Sequence, residues 1–452
     1  MELNEQYKVE FVDIDYEGRG VCKLENNFPI FVPDALKGER ALIEITDLKK
    51  NFGSGRVIRF YEKSPLRKNP PCPFYGECGG CNLMHLDYQT SLDFKTSLVK
   101  ETLKRIANVV VPVNRCVGMK NEFQYRNKLE FHFSFHNQKI RAGFYNEKSH
   151  KVVDINKCLV EPDIALEIIT FLKSIFKIEG IPIYKEKDKR GCIRHVIIRM
   201  NQKKEVMVIF VTNTNYLKKE EVIVPKLVAK FPSIKSVMLS FQPANDNVHI
   251  GEYSKLLFGK PYLEEDLLGL KFQISPESFF QINHDQTERL YQKVLDYAKL
   301  SGKENVIDAY CGIGTISLFL AKKAHHVYGI EIVKEAVDNA NNNKKINKID
   351  NATFIYGPCE EKINELVEKK NIDLIVCDPP RKGMERSFID TVGKMGIPRM
   401  IYVSCNVRTM ARDLVYLREY GYEAIEVSTF DMFPNTTHVE SVVTLSLRNS
   451  KE

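Results

Sequence analysis

From about residue 271 the chain alternates between short apolar strand-like runs and apolar helical stretches, and this alternation constrains the fold more than any other feature. The runs are ENVIDAY (Glu304 to Tyr310), HHVYGIEI (His325 to Ile332), ATFIYG (Ala352 to Gly357), IDLIVCD (Ile372 to Asp378) and RMIYVSC (Arg399 to Cys405). Strands separated by helices pair in parallel, because the helix supplies the crossover that a parallel pair needs. The expectation is a Rossmann-like α/β domain over residues 271–452, with a parallel sheet covered by helices on both faces. Such sheets bind ligands beyond the carboxyl ends of their strands.

The upstream chain reads differently. In residues 1–60, Tyr7 to Val12 alternates in polarity, and Gly18, Gly20, Gly38, Gly53 and Gly55 punctuate short strands. A five-stranded barrel of oligonucleotide-binding type fits this spacing, with a purely structural barrel as the alternative. The stretch EKSPLRKNPP (Glu62 to Pro71) reads as a linker. Residues 61–270 mix patterns: strands at Lys128–Phe135, Gly191–Met200 and Val206–Thr212, and a helix near Pro162–Phe176, form a central α+β domain.

Three motifs fall at carboxyl ends of the expected strands. DAYCGIGTISL (Asp308 to Leu318) follows a strand and opens a helix, and Gly312 and Gly314 let the backbone pass close to a ligand. The third position of a dinucleotide fingerprint is Ser317, so the loop lacks a full pyrophosphate cradle. Glu331 lies about 20 positions on, at a strand end, where a carboxylate can accept both ribose hydroxyls of an adenosine. An adenosine ligand without phosphates, S-adenosylmethionine, fits this arrangement. DPPRKG (Asp378 to Gly383) has two prolines that stiffen a wall against a flat ring. VSCN places Cys405 at a strand-to-helix turn, where a helix N-terminus and nearby Arg408 are expected to lower a thiol pKa and make a nucleophile. Downstream, His438 and Glu440 in FPNTTHVES alternate on an extended segment, so one of them can reach the cleft as a general base. These groups suit one reaction. Carbon 5 of uracil is a poor nucleophile until a thiolate adds to carbon 6, and a base must then remove the carbon 5 proton.

Cys72, Cys78 and Cys81 are spaced C-x5-C-x2-C, and Cys158 stands apart in DINKCLVEP. Four thiolates of this kind suit either zinc or a [4Fe–4S] cluster. The chain has eleven cysteines and begins with no apolar leader, which argues against a disulfide framework and for a reducing, cytoplasmic setting. No apolar run is long enough to span a membrane.

The motifs FFQIN (Phe279 to Asn283), DAYCGIGT, DPPRKG, VSCNVRTMARD (Val403 to Asp413) and DMFPNTTHVES (Asp431 to Ser441) together resemble the RNA (uracil-5-)-methyltransferase family over essentially the whole chain. The resemblance implies a class I methyltransferase domain, with Cys405 as nucleophile and Glu440 as proton-abstracting base. It implies Gln281, Tyr310, Glu331 and Asp378 around S-adenosyl-L-methionine, with Gln281 and Asp378 near the target uracil. DYEGRGVCK (Asp15 to Lys23) resembles the opening of a TRAM domain, an RNA-binding barrel. Family members acting on 23S ribosomal RNA carry a [4Fe–4S] cluster on the cysteine arrangement, which favours iron over zinc and 23S ribosomal RNA over tRNA. One departure is Pro358 after the third strand, where many methyltransferases place a polar contact to adenine.

A net charge of +7, from 66 Lys and Arg against 59 Asp and Glu, permits a polyanionic partner. QYRNK (Gln124 to Lys128), Lys187 to Arg190 and IRHVIIR (Ile193 to Arg199) read as basic patches for RNA phosphates and splayed bases. A monomer acting on a flipped or looped uridine is the expectation. An amino-methyltransferase would carry an NPPY-like motif and leave Cys405 idle. A radical enzyme would leave one iron open with a C-x3-C-x2-C loop, and a binding factor alone would not need Cys405, Glu440, Gln281 and Glu331 together.

Overall fold

The computed structural model describes residues 1–147, 149, 151–243, 250, 251 and 253–448. Its N-terminal sheet comprises β1 (Gln6–Glu10), β2 (Asp13–Ile14), β3 (Gly20–Lys23), β4 (Pro29–Val32), β5 (Arg40–Leu48) and β6 (Gly53–Glu62), in the order β1-β5-β6-β4-β3-β2. It therefore has six strands rather than the five expected. The extra one, β2, is only two residues long and too short to leave an alternating signal. β4 and β6 pair in parallel, which curls the sheet around a small core of Phe11, Cys22, Ile30, Val32, Ala41 and Ile43.

α1 (Tyr88–Thr102) follows, with Asp87 capping its start by accepting from Thr90 N–H. The central sheet contains β7 (Lys128–His136), β8 (Lys139–Tyr145), β9 (Val152–Asp154), β10 (Ile193–Met200), β11 (Val206–Thr212), β12 (Ile234–Phe241) and β13 (Tyr253–Gly259), in the order β13-β12-β11-β10-β7-β8-β9. Every residue of β11 is buried, as a continuous apolar run in a sheet centre requires. α2 (Asp163–Ile178) presents Ala165, Leu166, Ile169, Leu172 and Phe176 at helical spacing and buries them on this sheet, alongside α3 (Glu220–Lys230). The central position of β10 corrects one expectation. IRHVIIR is a buried strand, not a basic surface patch, and the buried Arg199 donates to the carbonyls of Pro276 and Ser278. Lys187 to Arg190 do lie exposed.

A hairpin of β14 (Leu263–Leu267) and β15 (Leu270–Ile274) leads to α4 (His284–Ala298) and the C-terminal sheet. Its elements are β16 (Asn305–Ala309), α5 (Thr315–Ala321), β17 (His326–Glu331), α6 (Lys334–Ile346), β18 (Ala352–Tyr356), α7 (Cys359–Val367), β19 (Leu374–Cys377), α8 (Arg386–Met395), β20 (Arg399–Ser404), α9 (Val407–Glu419), β21 (Tyr422–Phe430) and β22 (Glu440–Leu447). The order is β18-β17-β16-β19-β20-β22-β21, a mixed α/β Rossmann-like sheet. The first five strands are parallel, whereas β22 runs antiparallel to β20 and β21. The expected all-parallel sheet fails there because no helix lies between β21 and β22, and without a crossover a neighbour must return antiparallel. Ile307, Ile375 and Met400 pack under α8 and α9 on one face, while Val306, Leu374 and Ile401 pack under α4 and α5 on the other. No helix among the described residues is long and apolar enough to cross a membrane.

Candidate active site

The carboxyl edge of the parallel strands collects the chemistry. After β16 the chain turns through Tyr310, whose φ of 64° is costly for a bulky residue and is held by Cys311 N–H donating to Ile330 O. The Tyr310 ring rests 5.4 Å from that of Phe388. Gly314 has a φ of 82°, and a Cβ there would meet the Phe354 ring at 2.7 Å, so only glycine fits. Gly312 also takes a positive φ, but a Cβ on it would meet nothing within 4 Å, so this loop borders open space. At the end of β17, Glu331 accepts Gly312 N–H at 3.0 Å on one carboxylate oxygen and Val333 N–H at 2.9 Å on the other. It is therefore the clasp of the glycine loop, with one lone pair on each oxygen left over.

Asp378 follows β19, Cys405 follows β20, and Glu440 opens β22, which reaches the same edge because Ser441 pairs with Ser404. Glu440 is buried with its Oε2 unpartnered among the described residues. Burial first, then the Asp378 charge, push its carboxyl well above the usual range, while Arg381 opposes them. Burial raises Asp378 to about 7. Cys405 is half-buried, and burial, then Glu440 and Asp378, push its thiol up to about 12. Thiol and carboxyls thus sit within electrostatic reach of one another. The expected activation by Arg408 is not found: its guanidinium lies 4.7 Å over the Tyr16 ring of the N-terminal barrel, and the cation that favours the Cys405 thiolate is Arg381 of DPPRKG.

Of the two base candidates, His438 is exposed and lies before β22, whereas Glu440 faces the thiol. Gln281 is buried in the segment ahead of α4, and its carbonyl accepts from Asn127 Nδ2 at 3.0 Å. Its neighbour Phe279 is 71% exposed, an aromatic face presented to solvent beside a buried polar site. Asp308, which the sequence did not single out, is buried at the end of β16, with one oxygen accepting from Ser317 Oγ and the other unpartnered. The carboxyls of buried Asp308 and Glu440 and half-buried Asp378 lie within electrostatic reach of one another.

The supporting frame is rigid. The Arg381 carbonyl accepts from Asn406 Nδ2 and Thr409 Oγ1, which pins DPPRKG to the Cys405 turn. Buried Asp413 accepts from Met384 N–H and the Tyr402 hydroxyl. Before Glu440, the segment from Asp431 is clamped from outside the sheet. Lys95 and the Tyr88 hydroxyl of α1 bond the Asp431 carboxylate. Asn82 donates its backbone N–H to Asn435 O, accepts Thr437 N–H, and donates Nδ2 to Glu17 O of the barrel. Asn82 directly follows Cys81, so the cysteine segment touches both the barrel and the approach to Glu440.

Cys72, Cys78, Cys81 and Cys158 gather into one cluster, in which Cys72 acts to raise the thiols of Cys78, Cys81 and Cys158. Burial raises Cys81 to about 12, and Cys78 and Cys72 add to it. Among the described residues no three of these sulfurs lie within 4.8 Å of one another. A single zinc ion with bonds of about 2.3 Å would hold its sulfurs about 3.8 Å apart.

Comparison with known proteins gives the family of the chain. The tRNA (uracil-5-)-methyltransferase family model matches residues 247–448, and the TRAM domain model matches residues 2–58. An RNA methyltransferase of Bacillus cereus is 42% identical over 450 residues, covering 99% of this chain and 98% of the relative. One from Clostridium tetani is 39% identical over 451 residues, with the same coverage. The crystal structure of Pyrococcus abyssi tRNA (uracil-54, C5)-methyltransferase, in complex with S-adenosyl-L-homocysteine, superposes with a TM-score of 0.77 at 29% identity, covering 97% of this chain and all of that one.

Proposed function

This chain belongs to the RNA (uracil-5-)-methyltransferase family with an N-terminal TRAM domain, and from that premise we propose that it methylates carbon 5 of a uridine in 23S ribosomal RNA through a covalent bond between Cys405 and carbon 6. The observation that carries the reading is the meeting of Cys405, Asp378 and Glu440 at one sheet edge, beside the glycine loop clasped by Glu331. S-adenosylmethionine supplies the methyl group when bound. Glu331 and Tyr310 line its adenosine end, with Asp378 beside it. Gln281 and Asp378 orient the uracil, with Phe279 as an aromatic rest for a neighbouring base. Cys405 adds to carbon 6, and Glu440 removes the carbon 5 proton so that the thiol can leave.

Glu331→Ala should weaken S-adenosylmethionine binding by roughly 1–3 kcal/mol by calorimetry, since both the ribose acceptor and the loop clasp are lost. Unchanged affinity would remove the ribose assignment.

The second reading is a tRNA uridine, favoured by the whole-length match to the Pyrococcus abyssi enzyme. That match means that the barrel alone does not separate the two substrates. Nucleoside mass spectrometry of ribosomal RNA and tRNA from a strain lacking the gene, each treated with protein and cofactor, decides between them. 5-Methyluridine in 23S ribosomal RNA fragments is expected, and 5-methyluridine confined to tRNA would establish the second reading instead.

The four cysteines gather closely enough to serve as thiolate ligands, and the family resemblance favours a [4Fe–4S] cluster over a zinc ion. Protein purified anaerobically should be brown, with about four irons per chain. Colourless protein with one zinc would overturn this assignment and leave the methyltransferase reading intact.

A further inference from the structure

β7 and β10 run antiparallel, with His132 opposite His195 and Glu130 opposite Ile197. Side chains alternate along a strand, so Leu129, Phe131 and Phe133 enter the apolar core under α2, and Glu130 and His132 share the other face. On that face His195 is buried, and the Glu130 and His132 side chains keep about one-fifth of their exposure. The Nε2 atoms of both histidines converge on a single carboxylate oxygen: His195 lies 3.3 Å and His132 3.7 Å from Glu130 Oε1. All three candidate ligand atoms lie within 4.8 Å of one another. Bonds of about 2.0–2.2 Å from one ion, at tetrahedral angles, place neighbouring ligand atoms about 3.3–3.6 Å apart. The His132 ring is oriented by stacking on Tyr145, with centroids 4.1 Å apart and planes 22° from parallel.

We propose that Glu130, His132 and His195 bind one divalent transition-metal ion of the zinc class, with its remaining coordination positions open to solvent. Two imidazoles and a carboxylate suit such an ion and not calcium or magnesium, which take oxygen ligands. The site shares no residue with the cysteine cluster or with the methyl-transfer cleft. An ion there ties β7 to β10 on the face from which Arg199 reaches the carbonyls of Pro276 and Ser278, immediately before Phe279.

Cobalt(II) is the probe, titrated into full-length protein purified anaerobically. Binding at this site gives visible d–d absorption from nitrogen and oxygen ligands without the near-ultraviolet thiolate charge transfer of a cysteine site. One such ion per chain is expected, and His132→Gln, His195→Gln and Glu130→Gln should each weaken it by more than about 10-fold. Visible bands that persist unchanged in the His132→Gln/His195→Gln double variant, or uptake with thiolate charge transfer only, would overturn the proposal. A second measurement needs no variant. Zinc added to the wild-type protein should protect the partly exposed His132 from diethylpyrocarbonate, read by peptide mass spectrometry, and equal modification of His132 with and without zinc would also overturn it.

Discussion

Cys405→Ala should lower RNA methylation by on the order of 10⁴-fold or more, the scale on which loss of a catalytic nucleophile is felt. Cofactor binding should stay within about twofold, because the loop that borders the adenosine site is held by Glu331 and the Ile330 carbonyl and not by Cys405. The reason for so large an effect is chemical. Without addition at carbon 6, the uracil ring has no carbanion equivalent at carbon 5, and the other thiols at this edge, Cys311, Cys359 and Cys377, are buried. The pH dependence follows from the same surroundings. Burial and the carboxyls of Glu440 and Asp378 hold the thiol near 12 in the ligand-free protein, so below that value the thiolate fraction grows about tenfold per pH unit. Adduct formation with RNA in the absence of cofactor should therefore accelerate as pH rises from 6 to 9. A bound cation beside the thiol favours the thiolate and should flatten that rise. Stopped-time assays across this range, read by denaturing electrophoresis, measure both slopes. A rate independent of pH would show that Cys405 is already ionised and that another group limits attack.

Glu440→Gln separates the two halves of the reaction. The amide has the shape of the carboxyl and, unlike it, cannot take up the carbon 5 proton, so attack and methyl transfer should proceed and elimination should stall. Turnover should drop by about 10²–10⁴-fold, the usual worth of a general base. The variant should remain bonded to methylated RNA as a shifted band on denaturing gels. Its burial adds a second expectation. Glu440 carries a carboxyl raised well above the ordinary range, with no hydrogen-bond partner on one oxygen, so the wild-type base works only once it has lost its proton. Elimination by the wild type should accordingly quicken with rising pH. Normal turnover by Glu440→Gln would return the role to His438 or to a water molecule.

Much of this site was legible in the sequence because its groups sit at the ends of strands whose apolar runs announce them. Asp378, Cys405 and Glu331 each follow or close such a run, and the parallel sheet brings strand ends together whatever their separation along the chain. Legibility failed where position depends on partners far away. The ion pair of Lys95 with Asp431 and the bonds from Asn82 to Thr437 join residues more than 300 apart, and no local pattern records them. Arg408 looked like the cation beside Cys405 by proximity in sequence, but the first turn of α9 directs it to Tyr16, and Arg381 from the preceding loop takes that place. Arg199 and His195 looked like surface charge because their residue types are polar. Their places within a central strand instead bury both, and Arg199 bonds the carbonyls of Pro276 and Ser278 in the segment that carries Phe279 and Gln281. The antiparallel return of β22 escaped for a similar reason, since its direction depends on the missing helix rather than on any residue in the strand.

The most direct test of the covalent account uses RNA in which the target uridine is replaced by 5-fluorouridine. Fluorine cannot leave as a cation, so Glu440 has no proton to remove and the reaction halts after methyl transfer. Intact-mass analysis of wild-type protein incubated with this RNA and S-adenosylmethionine should show one RNA and one added methyl group per chain, and digestion should place the bond on the peptide that contains Cys405. Methylated uridine formed from ordinary RNA with no adduct on the fluorinated RNA, or an adduct mapped to another residue, would contradict it.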